Sequence, residues 1–152
     1  MNEPLPLATR LAAFRFSQPI MIRFNDFDLL GHVNNAVYLT YCESGRLHYW
    51  GAATASTQIT ETTQIVAHAS LDYRRPVRWG DTVRVVVRTS AIGRTSYTSE
   101  YLVLGSNAEG EYLAAEGRSV QVMYDYANGR SVPMPDDARA ALEAFEGGPL
   151  GR

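Results

Sequence analysis

Residues 20–50 read IMIRFNDFDLLGHVNNAVYLTYCESGRLHYW, and the other predicted elements are arranged around them. The apolar start predicts a strand over 20–24. A polar turn follows at 25–35, and from 34 to 50 apolar and aromatic residues recur every three or four positions, which predicts a helix. The polar turn therefore lies between a strand end and a helix N-terminus, where unpaired N–H groups and a partial positive charge can act on a bound group.

The composition is that of an ordinary globular domain. The chain has 152 residues, of which 45% are apolar and 20% charged, so one domain with a real core is expected. A net charge of −2 gives no signal for binding nucleic acid or an anionic membrane. The single cysteine, Cys42, excludes an intrachain disulfide, and neither a secretory leader nor a membrane-spanning apolar run is present in the sequence. These features predict a soluble, cytoplasmic protein.

Four further strands are predicted after the helix, and short turns rich in Pro and Gly separate them. Such turns favour an antiparallel meander. One face of the resulting five-stranded sheet needs a cover, and helix 34–50 is the best candidate, so the predicted class is α+β. The domain is expected to span 20–146, after a lead-in at 1–19 and before a disordered tail at 147–152. The four strands are predicted at 64–73, 82–90, 94–104 and 111–126, with a short helix at 136–145.

The polar turn has the residues that acyl transfer chemistry needs. Asn34 is a favoured helix N-cap, which would leave the N–H of Asn35 free in the first turn. Such a donor polarises a carbonyl oxygen and stabilises a developing oxyanion by about 3 kcal/mol. Gly31 allows a positive φ or a close approach to a ligand. Asp28, across from that oxygen, would act as nucleophile or as general base toward water. The turn therefore predicts hydrolysis of an activated acyl compound.

The same residues also have purely structural interpretations. A D-x-D in a turn is often a pair of Asx-type caps, and a histidine before a helix is often a capping or packing residue. The spacing of Asp26, Asp28 and His32 matches no established metal site, so no metal is expected. Glu43 and Arg46 form an i,i+3 pair on a solvated face, unless burial of the helix turns Glu43 toward the site.

Two patterns resemble a known family. Residues 23–46, R-F-x-D-x-D-x-x-G-H-V-N-N-x-x-Y-x-x-Y-x-E-x-x-R, are similar to the signature of hotdog-fold acyl-CoA thioesterases of the 4-hydroxybenzoyl-CoA thioesterase-like branch. Residues 72–81, D-Y-x-x-P-x-x-x-G-D, resemble the strand and turn that follow the central helix in that family, and Gly117-Arg118 also matches. The resemblance implies a hotdog fold, a five-stranded antiparallel sheet wrapped around a long central helix. It also implies homodimers or homotetramers with active sites at the subunit interface.

The resemblance also assigns roles to residues. Asp28 matches the catalytic carboxylate, and the N–H of Asn35 matches the group that polarises the thioester carbonyl. The GHVNN form is more similar to fatty-acyl thioesterases than to aromatic ones, which favours an aliphatic acyl group and makes His32 and Asn34 positioning candidates. Arginines are expected to bind the CoA phosphates. The expected substrate-binding residues are Asp26, Gly31, Tyr38, Glu43 and Arg78, with Arg74, Arg75 and Arg94 as further phosphate candidates.

The predicted function is hydrolysis of acyl-CoA to a free acid and CoA, without a metal or a redox cofactor. Two alternatives stay open at this point. One is hydrolysis of thioesters on acyl carrier protein, and the other is a non-catalytic acyl-CoA-binding module with the same fold. The intact Asp28 and helix start favour an enzyme, because binding alone needs no carboxylate aimed at the thioester.

Overall fold

A curled antiparallel sheet with one long helix packed against it forms the body of the protein. The computed structural model describes residues 5–55 and 63–151. In these ranges the helices are α1 Leu7–Leu11, α2 Val37–Thr54 and α3 Asp136–Glu146. The strands there are β1 Phe16–Ile20, β2 Gln64–Tyr73, β3 Thr82–Ile92, β4 Ser96–Asn107, β5 Gly110–Asp125 and the short β6 Arg130–Ser131.

The strand order is β1-β3-β4-β5-β2, all antiparallel, with β6 paired to the end of β5. The predicted α+β hotdog class is confirmed, but only β3, β4 and β5 form a meander. The prediction that β2 joins the meander beside β3 is wrong, because the connection at 74–81 makes no hairpin. Pro76 has no N–H to donate, and the carbonyl oxygen of Val77 accepts the N–H of Val33 at 2.9 Å. The loop before α2 thus holds this connection, and β2 pairs with β5 at the far edge.

The first strand lies earlier than predicted. The prediction of a strand at 20–24 is wrong, since β1 spans Phe16–Ile20 and residues Phe24–Asp26 form a single 3-10 turn. That turn forms because the side chain of Asp26 accepts the N–H of Arg23 and satisfies a donor that a strand would have paired. Pro19 is tolerated in β1 because β1 is an edge strand that pairs with β3 alone.

Helix α2 covers the inner face of the sheet, as predicted. It begins at Val37 rather than at residue 34 and continues to Thr54. Its buried side chains include Tyr49, whose ring meets that of Phe16 edge-on at 5.7 Å. A Cβ on Gly45 would lie 3.1 Å from side-chain carbons of β3, so glycine allows helix and sheet to approach closely. The opposite face of the sheet is packed by α1.

The C-terminal segment packs against this core. Tyr49 donates a hydrogen bond to Glu146 of α3 at 2.5 Å, and its ring meets Phe145 edge-on. The tail from residue 147 was expected to be disordered, but its described part up to Gly151 returns to the sheet, where Ile92 donates its N–H to the Gly151 carbonyl at 2.9 Å. No helix in the described ranges is long and apolar enough to cross a membrane.

Candidate active site

Asp26 holds together the loop that connects β1 to α2. It is 1% exposed, and its carboxylate accepts the backbone N–H of Arg23 at 2.9 Å and the hydroxyl of Tyr41 at 2.9 Å. Its carbonyl oxygen accepts the N–H of Asn34 at 2.8 Å. Burial raises the pKa of Asp26, but the hydrogen bonds from Arg23 and Tyr41 outweigh this, and the pKa lies below its ordinary value. Asp26 therefore fixes the entry of the loop and the start of the helix from within the fold.

Asp28 lies in a tight turn with one carboxylate oxygen left open. Its Oδ1 accepts the N–H of Leu30 at 2.8 Å, and its N–H donates to the carbonyl of His32 at 2.9 Å. The turn closes through the N–H of Gly31, whose φ of +76° agrees with the positive φ expected of that glycine. Within the described residues no group donates to Oδ2 of Asp28. That oxygen is available to a substrate or a water molecule.

The start of α2 presents a second open group, the N–H of Asn35. Asn34 accepts the N–H of Ala36 on its side chain at 3.0 Å and the N–H of Val37 on its carbonyl at 3.0 Å, so it caps the helix from just outside. The carbonyl of Asn35 accepts the hydroxyl of Tyr73 at 2.7 Å. In the described part of the chain the N–H of Asn35 has no acceptor. The Asn35 peptide is thus held from one side and free to donate on the other.

These groups meet in one cleft of about 260 Å³. Asp28 is the only carboxylate among the described residues that line it, and His32, Asn35 and Tyr38 also line it. The hydroxyl of Tyr38 accepts the N–H of Val77 at 3.1 Å, and burial raises the pKa of this tyrosine. The cleft is therefore lined both by the residue with the open carboxylate oxygen, Asp28, and by the residue with the open N–H, Asn35, together with the aromatic side chain of Tyr38.

Other predicted residues lie outside the cleft. Gly31 is at the tip of the turn, and Glu43 is 61% exposed with a carboxylate 3.9 Å from Arg46. The Arg78 side chain is exposed, and its backbone pairs with that of His32. Asn34 supports the cleft through its capping bonds rather than by lining it.

Five lining residues were absent from the predicted site residues, although two of them, Arg74 and Arg75, were named as phosphate candidates; the others are Val33, Tyr73 and Pro76. Arg74 and Arg75 lie at the cleft and pair with Glu116 at 2.8 Å and Glu109 at 3.0 Å. Tyr73, besides bonding Asn35, meets the ring of Tyr38 edge-on at 5.3 Å. The alternation of β2 carried a signal for it, because Tyr73 shares a strand face with Leu71, which packs against the core.

No metal site accompanies these groups in residues 5–55 and 63–151. No set of three or more His, Cys, Asp or Glu side chains there is close enough to hold an ion. The described residues that line the cleft include a carboxylate at Asp28, an imidazole at His32 and two guanidinium groups at Arg74 and Arg75.

The chain is similar in sequence and in fold to known thioesterases. The family model of the thioesterase-like superfamily matches residues 22–142. A thioesterase from Thermus thermophilus, whose structure contains coenzyme A and zinc, is 40% identical over 91% of this chain and 98% of its own, with a TM-score of 0.79. The YsmA protein of Bacillus subtilis (strain 168) is 31% identical over 138 residues, covering 91% of this chain and 92% of that protein.

A 4-hydroxybenzoyl-CoA thioesterase bound to 4-hydroxybenzoyl-CoA shares the fold, with a TM-score of 0.72 at 15% identity over 83% of this chain and 96% of its own. At that identity the likeness concerns the fold alone. The match over 22–142 includes the carboxylate turn, the whole of α2 and strands β2 to β5. The chain belongs to the thioesterase-like superfamily and is a thioester hydrolase with the hotdog fold.

Proposed function

We propose that the protein hydrolyses acyl-CoA thioesters, with an aliphatic acyl group, in the cleft between Asp28 and the start of α2. The observation that carries this proposal is the pairing of an open carboxylate oxygen on Asp28 with an open N–H on Asn35 in one cleft. The coenzyme A bound to the 40% identical thioesterase supports CoA as the thiol.

The reaction follows from these two groups. The thioester oxygen would accept the N–H of Asn35, where the helix N-terminus adds partial positive charge. In the general-base route, Asp28 takes a proton from water as the water oxygen attacks the carbonyl carbon. The negative charge of the tetrahedral intermediate then develops on the oxygen facing Asn35. Collapse of that intermediate breaks the carbon–sulfur bond and releases the CoA thiolate and the acid.

In the nucleophilic route Asp28 attacks the carbonyl carbon itself and forms a mixed anhydride, which water then opens. A single turnover in ¹⁸O-labelled water identifies the nucleophilic route when water opens the anhydride at the Asp28 carbonyl, whereas opening at the acyl carbonyl labels the acid just as direct attack on the thioester does. Direct attack of water places ¹⁸O in the released acid. If water opens the anhydride at the Asp28 carbonyl, the acid instead leaves with an unlabelled enzyme oxygen, and the label stays on Asp28.

The neighbouring residues would position the substrate. His32 lines the cleft and is proposed to orient the attacking water, while Asn34 keeps the helix start in place through its cap. Arg74 and Arg75 at the cleft, with the exposed Arg78 nearby in sequence, would attract the CoA phosphates. Lys and Arg side chains at such mouths act mainly through charge, so we expect salt to raise the KM for CoA esters.

We also propose that the working molecule is a homodimer or a homotetramer with active sites at the subunit interface. Strand β2 is an edge strand that pairs with β5 on one side only. Its central residues 66–70 are exposed. An open strand edge of this length is a ready site for pairing with a second copy.

Asp28→Asn tests the catalytic assignment. The amide keeps the size of the side chain but neither accepts the proton nor attacks the carbonyl, so kcat on acyl-CoA is expected to fall at least about a hundredfold. Thiol release with a thiol-reactive dye measures this, over acyl-CoAs that vary in length and aromaticity. Asp136→Asn, an exposed aspartate on α3, is the matched control.

Affinity gives the second readout. The Kd of a non-hydrolysable CoA thioether, measured by calorimetry, should change little in Asp28→Asn. Equal turnover by Asp28→Asn and the unmodified protein would contradict the assignment. Turnover confined to thioesters on acyl carrier protein would keep the mechanism and replace CoA as the thiol.

A further inference from the structure

The hydroxyl of Tyr38 has a proton that no residue of the described chain accepts. Its oxygen accepts the N–H of Val77 at 3.1 Å, and this is the one hydrogen bond that the hydroxyl makes within residues 5–55 and 63–151. A phenol both accepts and donates, so its capacity to donate is unused there. Tyr38 is 3% exposed, and a buried donor without an acceptor is costly. The proton is available to a group bound in the cleft.

The hydroxyl lies at the wall of the cleft. The N–H that it accepts belongs to the peptide between Pro76 and Val77, and Pro76 lines the cleft. Val33 also lines the cleft, and its N–H donates to the carbonyl of Val77 at 2.9 Å. Val77 is therefore held on both sides, and the hydroxyl of Tyr38 is held with it.

Tyr73 links Tyr38 to the peptide of Asn35. The hydroxyl of Tyr73 donates to the Asn35 carbonyl at 2.7 Å, and its ring meets that of Tyr38 edge-on at 5.3 Å. Tyr38 follows Asn35 by three residues, and side chains on a helix lean back toward its N-terminus. Both residues line the cleft. An open backbone donor and an open hydroxyl donor thus border the same space.

The open proton of Tyr38 and the open oxygen of Asp28 do not meet each other. Both residues line the cleft, yet in the described part of the chain no hydrogen bond joins the hydroxyl to Oδ2 of Asp28. Burial raises the pKa of Tyr38 and the charge of Asp28 adds to the rise, so the hydroxyl keeps its proton at neutral pH. A bound group that accepts from Tyr38 and reacts on the side of Asp28 would use both.

We propose that the hydroxyl of Tyr38 is a second donor to the thioester oxygen, beside the N–H of Asn35. This inference rests on the proposed thioesterase function. As the carbonyl carbon becomes tetrahedral, the oxygen gains a negative charge, which a donor already in place stabilises more than it stabilises the neutral carbonyl. When the carbon–sulfur bond breaks, the electron pair on the oxygen re-forms the carbonyl, and Tyr38 keeps its proton throughout. Tyr38 therefore acts mainly on kcat.

Tyr38→Phe removes the donor and retains the ring. We expect kcat on acyl-CoA to fall about a hundredfold, while KM rises no more than about threefold, because the lost hydrogen bond is strongest in the transition state. Thiol release measures both constants. Tyr101→Phe is the matched control, since Tyr101 is also 3% exposed and its hydroxyl shares a hydrogen bond with Ser119 outside the cleft lining, and its kcat should be unchanged. An unchanged kcat in Tyr38→Phe would overturn the proposal.

Tyr38→Phe also removes the acceptor of the Val77 N–H, so a second variant separates the two hydrogen bonds. Fluorine on the ring makes a phenol more acidic, so 3-fluorotyrosine in place of Tyr38 donates more strongly and accepts more weakly. At neutral pH we expect this variant to have a kcat equal to or above that of the unmodified protein. A kcat that falls in step with the melting temperature would show that Tyr38 only supports Val77, and would overturn the proposal even if Tyr38→Phe does not fold.

Binding separates this inference from the thioesterase proposal. A CoA ketone in which CH₂ replaces the sulfur has the carbonyl oxygen, an S-alkyl-CoA thioether of equal length lacks it, and neither is hydrolysed. The preference for the ketone, as a ratio of Kd values, should fall about threefold in Tyr38→Phe and stay unchanged in Tyr101→Phe. Such a fall without hydrolysis by the unmodified protein would support the donor and contradict the catalytic proposal. Hydrolysis that needs Asp28, with the same ratio in Tyr38→Phe, would do the reverse.

Discussion

Asp26 and Asp28 stand two residues apart in one turn, and the fold gives them opposite environments. The carboxylate of Asp26 is buried and hydrogen-bonded to Arg23 and Tyr41, whereas Asp28 lines the cleft and its Oδ2 has no partner in the described residues. Sequence reasoning singled out Asp28 as the proposed catalytic carboxylate, but it placed Asp26 among the expected substrate-binding residues and not among those that hold the fold. The difference arises from Tyr41, fifteen positions away, which reaches Asp26 only once α2 is packed.

Asp26→Asn is expected to lower the free energy of unfolding by about 2 kcal/mol at pH 7, because an amide cannot accept both the Arg23 N–H and the Tyr41 hydroxyl as a carboxylate does. Urea denaturation followed by fluorescence measures the loss. Asp72→Asn, a substitution at an exposed carboxylate, should change stability by less than about 0.5 kcal/mol. Equal stabilities for Asp26→Asn and the unmodified protein would contradict the structural role of Asp26.

The same pair of proteins gives a pH prediction. The pKa of Asp26 is lower in the folded chain than its ordinary value of 3.8, so below neutral pH the unfolded chain binds the proton first. The stability contributed by the carboxylate is complete well above pH 3.8 and is lost as the pH falls through the folded pKa. The stability difference between the unmodified protein and Asp26→Asn should therefore shrink below about pH 4. If the stability difference instead grew as the pH fell, the pKa of Asp26 would be raised, not lowered, in the folded chain.

Tyr73→Phe tests how the Asn35 peptide is held. Removing the hydroxyl frees the Asn35 carbonyl, which the Tyr73 hydroxyl contacts at 2.7 Å, and lets the proposed oxyanion donor, the N–H of Asn35, move. We expect kcat on acyl-CoA to fall about three- to tenfold, from the loss of one hydrogen bond, with little change in melting temperature because Tyr73 is exposed. Tyr124→Phe is the control, because Tyr124 lies near the end of β5, far along the strand from Ala115, the residue that pairs with Tyr73. A loss of stability that matches the loss of kcat would indicate a packing role instead.

At the scale of elements, the sequence predicts best where periodicity is regular. The bounds of β2 agree with prediction, and β5 and α3 agree within one residue at each end, because alternation and turn residues mark them locally. The start of α2 differs because Asn34 caps from outside the helix, and β1 differs because the Asp26 contacts replace strand pairing. Local patterns do not contain those contacts.

Gly117 is at a place where strands β5 and β2 approach each other too closely for a side chain. A Cβ at this position would lie 2.0 Å from the carbonyl oxygen of Ser70 and 2.9 Å from Cα of Leu71, both backbone atoms of β2. Gly117→Ala must therefore push β2 away from β5, and we expect a loss of about 3 kcal/mol in the free energy of unfolding. Gly148→Ala, where nothing lies within 4 Å, is the matched control and should be near neutral. Denaturant midpoints for both variants provide the check.

At the scale of the whole molecule, the order of the strands was beyond sequence patterns. Short turns favoured a meander that included β2, but the segment after β2 is held by the loop before α2, a contact between residues more than forty positions apart. That arrangement sends β2 to the far edge of the sheet and brings Tyr73 against Asn35. The open strand edge and the assembled cleft are thus consequences of the same crossover.

The last prediction concerns that edge. If two copies pair through β2 around a twofold axis, residues at the middle of the strand lie near their own symmetry mates. His68 occupies that position and is exposed in the protomer. His68→Glu would bring two carboxylates together across the axis, and like charges facing each other on paired strands destabilise the pairing. His68→Gln has a similar size without the charge.

Sedimentation at several protein concentrations measures the outcome. We expect the unmodified protein and His68→Gln to sediment as dimers or larger assemblies, and His68→Glu to dissociate at concentrations where they do not. Because the active sites are proposed to lie at the interface, turnover by His68→Glu should fall in step with dissociation and recover at high protein concentration. A monomeric unmodified protein with full turnover would rule out this interface. If His68→Glu assembled like the unmodified protein, the copies would associate through a surface other than β2.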